Sequence, residues 1–132
     1  MEQKIVVHLK AGAVYKGMTH DFAPEQGSFH VLPAEGGGVP VKVQMADMKA
    51  MFWVRDYVGN REFVARRDFD PARKPQGKPA ILTFLDGETI WGTVVDDDAA
   101  SPGFFFVPAD EADNNIKIFV VRNSLKELRW AP

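Results

Sequence analysis

The chain has 132 residues, a formal net charge of −2 and no cysteine, and 45% of its residues are hydrophobic. This composition is too apolar for a disordered chain and too charged for a membrane span. The lack of cysteine excludes a disulfide framework, a cysteine nucleophile and a thiolate zinc site. No long apolar run follows the first four residues, so we expect no signal peptide and a cytoplasmic protein.

Residues 1–54 contain the pattern of five short strands. The first, residues 5–9, is a β-branched run that ends near the turn at Gly12, and the second passes through Gly17, where a strand glycine indicates a bend. The third ends at Pro33, the fourth covers residues 39–45, and a short polar step leads to a last strand that ends at Trp53. No segment keeps a helical period for more than about two turns.

Residues 55–79 form a basic connector with seven Lys and Arg against four acids. Its apolar residues are too many for a solvated tether. We expect Phe63 and Phe69 to hold the connector against the rest of the protein, and residues 71–79 to form its loose part.

Residues 80–132 repeat the first pattern. A shift of 75 residues places Gly12 on Gly87 and Gly17 on Gly92, and after a two-residue insertion a shift of 77 places Trp53 on Trp130. Nine of 44 aligned positions are identical, where ordinary composition gives about three by chance. The two parts are therefore predicted to be copies of one unit, and positions that are apolar in both copies, the two tryptophans included, are predicted to be core.

Each copy resembles the Sm-like barrel. The first Sm signature is matched by the Gly12 and Gly17 pair followed by Asp21, and by Gly87 and Gly92 followed by Asp96. The second signature is similar to residues 120–125, which include Arg122 and Asn123. The resemblance implies a small five-stranded Sm/SH3-like barrel. The Met-Asn step of the Sm base pocket is replaced here by residues 23–26, Ala-Pro-Glu-Gln.

The whole chain also resembles an uncharacterised bacterial family with two such units, a domain of unknown function. The resemblance is carried by the motifs at residues 16–22, 28–34, 52–60 and 102–110. It implies no particular activity.

These observations predict an all-β fold, a tandem pair of small five-stranded Sm/SH3-like barrels packed as one compact unit. The predicted divisions are 1–54, the connector 55–79 and 80–132. The fourth and fifth strands of adjacent units are predicted to pair within the chain, which would extend one sheet across both copies. We expect a non-catalytic protein-interaction or regulatory module that binds a protein partner or its own copies, for which edge strands are suited.

A nucleic-acid-binding module is the first alternative, and a sensor of small anions or nucleotides is the second. Both would use basic side chains, because phosphate recognition depends on Lys and Arg. The candidate residues are Arg66, Arg67, Arg73, Lys74, Arg122 and Asn123. The connector charge of +3 against −5 in residues 80–132 also fits plain charge compensation within the chain.

Three apolar residues of the second copy replace polar residues of the first on the predicted outer face: Trp91 for Lys16, Phe105 for His30, and Phe119 for Lys42. Either the connector or the first copy covers them, or they form an interaction surface.

No catalytic or cofactor motif is present, so the chain is predicted not to be an enzyme and to need no cofactor. His20 and His30 are expected to be cross-strand neighbours. They are weak candidates for metal ligands, because the sequence offers no third ligand beside them.

Overall fold

The computed structural model describes residues 3–35, 38–58, 67–69, 77–97, 100–110 and 112–131. Strands β1 to β5 are Lys4–Leu9, Val14–Met18, Ser28–Pro33, Val41–Gln44 and Met48–Val54. Strands β6 to β10 are Lys78–Phe84, Thr89–Asp96, Gly103–Pro108, Asn115–Val121 and Leu125–Trp130. One turn of 3₁₀ helix precedes β5 at Met45–Asp47, and another precedes β10 at Arg122–Ser124. Within the described ranges, no helix has the length and apolarity needed to cross a membrane.

The ten strands form a single antiparallel sheet in the order β10-β6-β7-β8-β9-β5-β1-β2-β3-β4. The prediction of an all-β fold is confirmed. Two separately closed barrels are not what the ladder shows, because β5 pairs along its length with β9 and joins both halves into one open sheet. The predicted pairing of the fourth strand of one unit with the fifth strand of the other is thereby confirmed.

The two halves have the same strand order and the same register. Ile5 pairs with Gly17 in the first half, and Ala80 pairs with Gly92 in the second, 75 residues later at both positions. Gly12 and Gly87 both adopt positive φ, 105° and 94°, at the turns between the first two strands of each half. This conformation strains residues that carry a Cβ atom.

The sheet carries two hydrophobic cores, which β1, β5 and β9 share by alternation. Successive residues of a strand point to opposite faces, so Phe119 belongs to one core and Val120 to the other. The first core contains Ile5, Val7, Phe29, Val31, Val43, Met45, Met48, Met51, Trp53, Phe119 and Val121. The second contains Val6, Ala50, Phe52, Val54, Ala80, Leu82, Phe84, Val94, Phe104, Phe106, Ile118 and Val120. Each half therefore completes the core of the other.

The expectation that both tryptophans are core residues is half wrong. Trp53 is buried on the central strand β5, whereas Trp130 is 45% exposed on the edge strand β10. Both occupy the same place in their own half. The difference arises because β9 and β1 flank β5 on its two sides, while in the described structure β10 has β6 alone as its neighbour.

Candidate functional site

The junction between β5 and β9 is a strand-to-strand interface inside the chain. Ala50 lies opposite Val120, Met51 opposite Phe119 and Phe52 opposite Ile118. All six side chains are buried. Such a fully apolar junction is what an obligate interface needs, since unpaired polar groups there would cost free energy.

Lys49 fastens the same junction from the side. Its Nζ lies 2.7 Å from Asp86 Oδ2 and 2.7 Å from Glu88 Oε1, on the turn between β6 and β7. Burial lowers the pKa of Lys49, but hydrogen bonds to the two carboxylates outweigh it and raise the pKa above its usual value. The Ser124 hydroxyl, buried nearby, has the carbonyl oxygens of Lys49 and Val121 within hydrogen-bond distance, at 2.9 and 2.6 Å.

The sheet ends at β4 on one side and β10 on the other. At β4, the N–H of His30 on β3 donates to Asp21 Oδ1 at 2.9 Å. Directly opposed residues of an antiparallel pair exchange either both backbone hydrogen bonds or neither. His30 and its partner Lys42 therefore exchange none, and the N–H and C=O of Lys42 point to the open edge.

The same reasoning orients β10. The N–H of Ala131 donates to the C=O of Pro79 at 2.9 Å. Bonded and non-bonded pairs alternate along a strand, so Leu128 and its partner Leu82 on β6 exchange no hydrogen bond. The N–H and C=O of Leu128 thus point to the open edge, as those of Lys42 do at the other end of the sheet.

The predicted aromatic surface is mostly covered. Phe119 is 1% exposed, so its placement on an outer face was wrong: its ring packs against Phe22 and Phe105 in the first core. Phe105 is partly buried, with its ring 5.9 Å from that of Trp53. Trp91 is partly buried and lies 5.2 Å from Phe69 of the connector. The first half and the connector thus cover these residues, because the halves share a sheet.

The predicted basic residues are spread out. Arg66, Arg73 and Lys74, like Phe63, lie outside the described residues. Arg122 lies 2.7 Å from Asp97, and its guanidinium stands 5.3 Å from the ring of Phe104, so it already has an acidic partner in the chain. Asn123 is exposed in the 3₁₀ turn.

Arg67 and Trp91, which the sequence analysis assigned to different sites, line one cavity. Its volume is about 280 Å³, and Arg129, Thr83 and Thr89 also line it. The hydroxyls of the two threonines are 3.4 Å apart. We name this the arginine cavity. Arg129 was missed because its neighbours come from β6 and β7, and strand pairing rather than sequence spacing brings them together.

The two histidines do not form the predicted pair. The β2–β3 ladder ends at Met18 opposite Leu32, before it reaches His20, and His30 lies opposite Lys42. The His30 Nδ1 instead lies 2.7 Å from Asp21 Oδ2, and the hydrogen bonds from His30 hold the pKa of Asp21 below its usual value. In the described part of the chain, no group of three potential ligands is placed to hold a metal ion.

A family model matches residues 1–131 of this sequence, and its description is "Family of unknown function (DUF6982)". The chain belongs to this family. The match covers almost the full length, so both halves of the sheet are part of one family domain. No curated protein and no solved structure shows significant similarity to the chain.

Proposed function

We propose that this chain is a non-catalytic protein-interaction module, made of two copies of an Sm-like unit of the bacterial type, that associates head to tail with further copies of itself. The cytoplasm, to which its cysteine-free composition is suited, is where we place this activity. One observation carries the proposal: inside the chain, the fifth strand of one half pairs with the fourth strand of the other. The same two kinds of strand, β10 and β4, are left at the two ends of the sheet.

The equivalence of the two halves supports the idea of one repeated unit. Ser28 pairs with Gln44, and Gly103 pairs with Val121 after shifts of 75 and 77 residues. A one-turn 3₁₀ helix precedes the fifth strand in both halves. An interface that joins the two units within the chain is thus geometrically available to the units of two different chains.

The backbone groups at the two edges match this arrangement. A shift of 77 residues converts the internal pair Met51 and Phe119 into Leu128 of one chain opposite Lys42 of another. The N–H and C=O groups of both residues point to their open edges, as derived above from hydrogen bonds that each half makes separately. A register shifted by one residue would leave these groups without partners, so the edges are compatible in the register of the internal junction.

The side chains at the edges make the external interface weaker than the internal one. Ala50 and Phe52 of the internal junction correspond to Glu127 and Arg129 at the β10 edge, which are exposed, and Phe119 corresponds to the exposed Lys42. Charged side chains are a common way to limit pairing at edge strands. We therefore expect association to be reversible and dependent on concentration, and a head-to-tail contact can continue into a ring or a filament.

Substitution of Lys42 by proline tests this association. Proline removes the backbone N–H that points to the open edge, and the ladder to β3 loses no hydrogen bond. In sedimentation velocity over about a hundredfold range of concentration, the mean mass of the unmodified chain is expected to rise, and Lys42→Pro is expected to remain a monomer. Lys42→Ala, the matched control, keeps the N–H and should associate like the parent.

Two results would contradict the proposal. One is a parent chain that stays monomeric over the whole concentration range. The other is a Lys42→Pro variant that associates as the parent does while its unfolding midpoint is unchanged.

The arginine cavity favours a second candidate function, the binding of a nucleotide or of single-stranded nucleic acid. Arg67 and Arg129 could contact phosphate oxygens, and the ring of Trp91 could stack on a base. Arg122, which is already paired with Asp97, contributes less to this candidate than the sequence suggested.

The second candidate is tested by fluorescence anisotropy with labelled U-rich RNA, A-rich RNA, single-stranded DNA and a labelled mononucleotide, each at low and at near-physiological salt. Binding through the cavity is expected to weaken with salt, and Arg67→Ala and Arg129→Ala should each reduce the salt slope by about one. Lys126→Ala removes an exposed positive charge outside the cavity and serves as the control. Equal losses in all three variants would indicate nonspecific attraction and contradict the site.

A further inference from the structure

A cleft lies where the second core reaches the first half of the sheet. It has a volume of about 410 Å³, within the range of small-molecule sites. Its floor is apolar and includes Val6 and Phe52, which lie opposite each other on β1 and β5. On the far side of β1, Lys16 of β2 lies opposite Val6, so the floor continues into a polar wall.

One wall of the cleft is held by hydrogen bonds between distant segments. The Tyr57 hydroxyl donates to the C=O of Gly17 at 2.9 Å. The Asn114 side chain accepts from the N–H of Asp56 at 3.0 Å and donates to its C=O at 2.8 Å. These bonds fix the segment after β5 against both β2 and the start of β9, and a cleft fixed before binding costs a ligand less ordering entropy.

The opposite wall is held by an ion pair. Glu88 lines the cleft, and its Oε1 lies 2.7 Å from Lys49 Nζ. Lys49 also contacts Asp86, and its ammonium stands 4.5 Å from the centre of the Phe84 ring. The negative charge of Glu88 is therefore largely compensated, and it does little to repel an anion in the cleft.

His8 faces this cleft without a hydrogen bond to any residue that the structure describes. The side chain is partly buried, and its ring packs edge-on against Phe52 at 4.9 Å. Burial lowers the pKa of His8, Lys49 and Lys16 lower it further, and Glu88 and Asp86 oppose the shift. The imidazole is thus neutral near pH 7, with one ring N–H to donate and one ring nitrogen to accept.

Lys16 supplies a positive charge next to this imidazole. Its side chain is exposed at the cleft and has no acidic partner among the residues that the structure describes. A lysine ammonium and an imidazole beside an apolar floor form an arrangement suited to one polar end and one apolar body of a ligand. The equivalent face of the second half has Trp91 in place of Lys16, so the arrangement is not repeated there.

We propose that this cleft is a binding site for a small organic carboxylate with an apolar body. The carboxylate lies against the ammonium of Lys16 and accepts a hydrogen bond from the ring of His8. The apolar body covers Val6 and Phe52. The site is separate from the edge strands and from the arginine cavity, so it does not depend on either proposed function.

Benzoate is the probe for this site, and benzyl alcohol is its uncharged counterpart. In ¹H–¹⁵N correlation spectra, benzoate is expected to cause saturable shifts at His8, Lys16, Tyr57 and Asn114, and benzyl alcohol is expected to bind at least about threefold more weakly. Equal binding of both probes, or benzoate shifts confined to other parts of the sheet, would overturn the proposal.

The pH dependence gives a readout that a merely structural role of His8 would not change. A bound carboxylate favours the protonated imidazole, so saturation with benzoate is expected to raise the pKa of His8, measured from its ring carbon resonances. By linkage, benzoate affinity must rise as the pH falls through the free-state pKa. Lys49, Lys16, Glu88 and Asp86 also act on His8, but none of them changes its charge state in that range.

Two variants and a control complete the test. Lys16→Gln is expected to weaken benzoate binding about threefold to fivefold, and His8→Gln is expected to abolish the rise of affinity at lower pH. Lys42→Gln removes an exposed lysine outside the cleft and should leave binding unchanged. A His8→Gln variant with an unaltered spectrum elsewhere and an unaltered pH profile would contradict the role of His8.

Discussion

Replacement of Phe119 by alanine is expected to lower the free energy of unfolding by about 3–5 kcal/mol, the usual range for a buried phenylalanine. Phe119 is 1% exposed, lies opposite Met51 at the β5–β9 junction and packs against the rings of Phe22 and Phe105. The cavity left by the truncation would therefore open between the two halves. Urea denaturation, followed by tryptophan fluorescence and by circular dichroism, measures the loss.

Lys42→Ala is the matched control for Phe119→Ala. Lys42 occupies the same position of the first half, on the edge strand β4, and is exposed. Its truncation is expected to change stability by no more than about 0.5 kcal/mol. Similar losses in the two variants would show that the fourth strands of the halves are equally buried, and would contradict the junction described here.

Substitution of Gly17 by alanine is expected to destabilise the protein by about 3 kcal/mol, the upper part of the range for overpacking. An added Cβ would overlap the carbonyl oxygen of Leu32 on the neighbouring strand β3, and that backbone atom can move only if β2 and β3 separate. Gly92→Ala should have a comparable effect, because its Cβ would lie 2.6 Å from the ring of Phe106. Thermal unfolding of each variant measures the change.

Gly27→Ala distinguishes this steric cause from a general effect of losing a glycine. Gly27 has no atom within 4 Å of an added Cβ and no positive φ. Alanine there is expected to be neutral, or to stabilise slightly by restricting the unfolded chain. If Gly27→Ala and Gly17→Ala destabilised equally, the close approach of β2 and β3 would not be the reason for the glycine.

The strands and turns were largely predictable because their causes are local. Gly12 and Gly87 stand where the backbone needs a positive φ, and Pro33 and Pro108 fall at the ends of β3 and β8. Alternation and β-branched runs located all ten strands to within a few residues, and the pairing of fourth and fifth strands followed from the repeat. These features depend on the conformations that each residue type tolerates, which a sequence displays directly.

The candidate sites were less predictable because they depend on which elements become neighbours. The arginine cavity joins Arg67 of the connector to Arg129 of β10, and the cleft joins His8 to Glu88. His8 stood out in the sequence only as one of three histidines. No local pattern relates residues so far apart, and pairing across the sheet is what brings them together.

The amino-acid sequence by itself therefore determined an all-β chain of two similar halves, with turns and strand ends at positions set by glycine and proline. The tertiary structure alone decided which apolar residues became core. Phe119 is buried and Trp130 is exposed, although an outer-face position was expected for the first and a core position for the second. The physical reason is that burial depends on what lies next to a strand: β9 is covered by the other half of the sheet, and β10 stands at its edge.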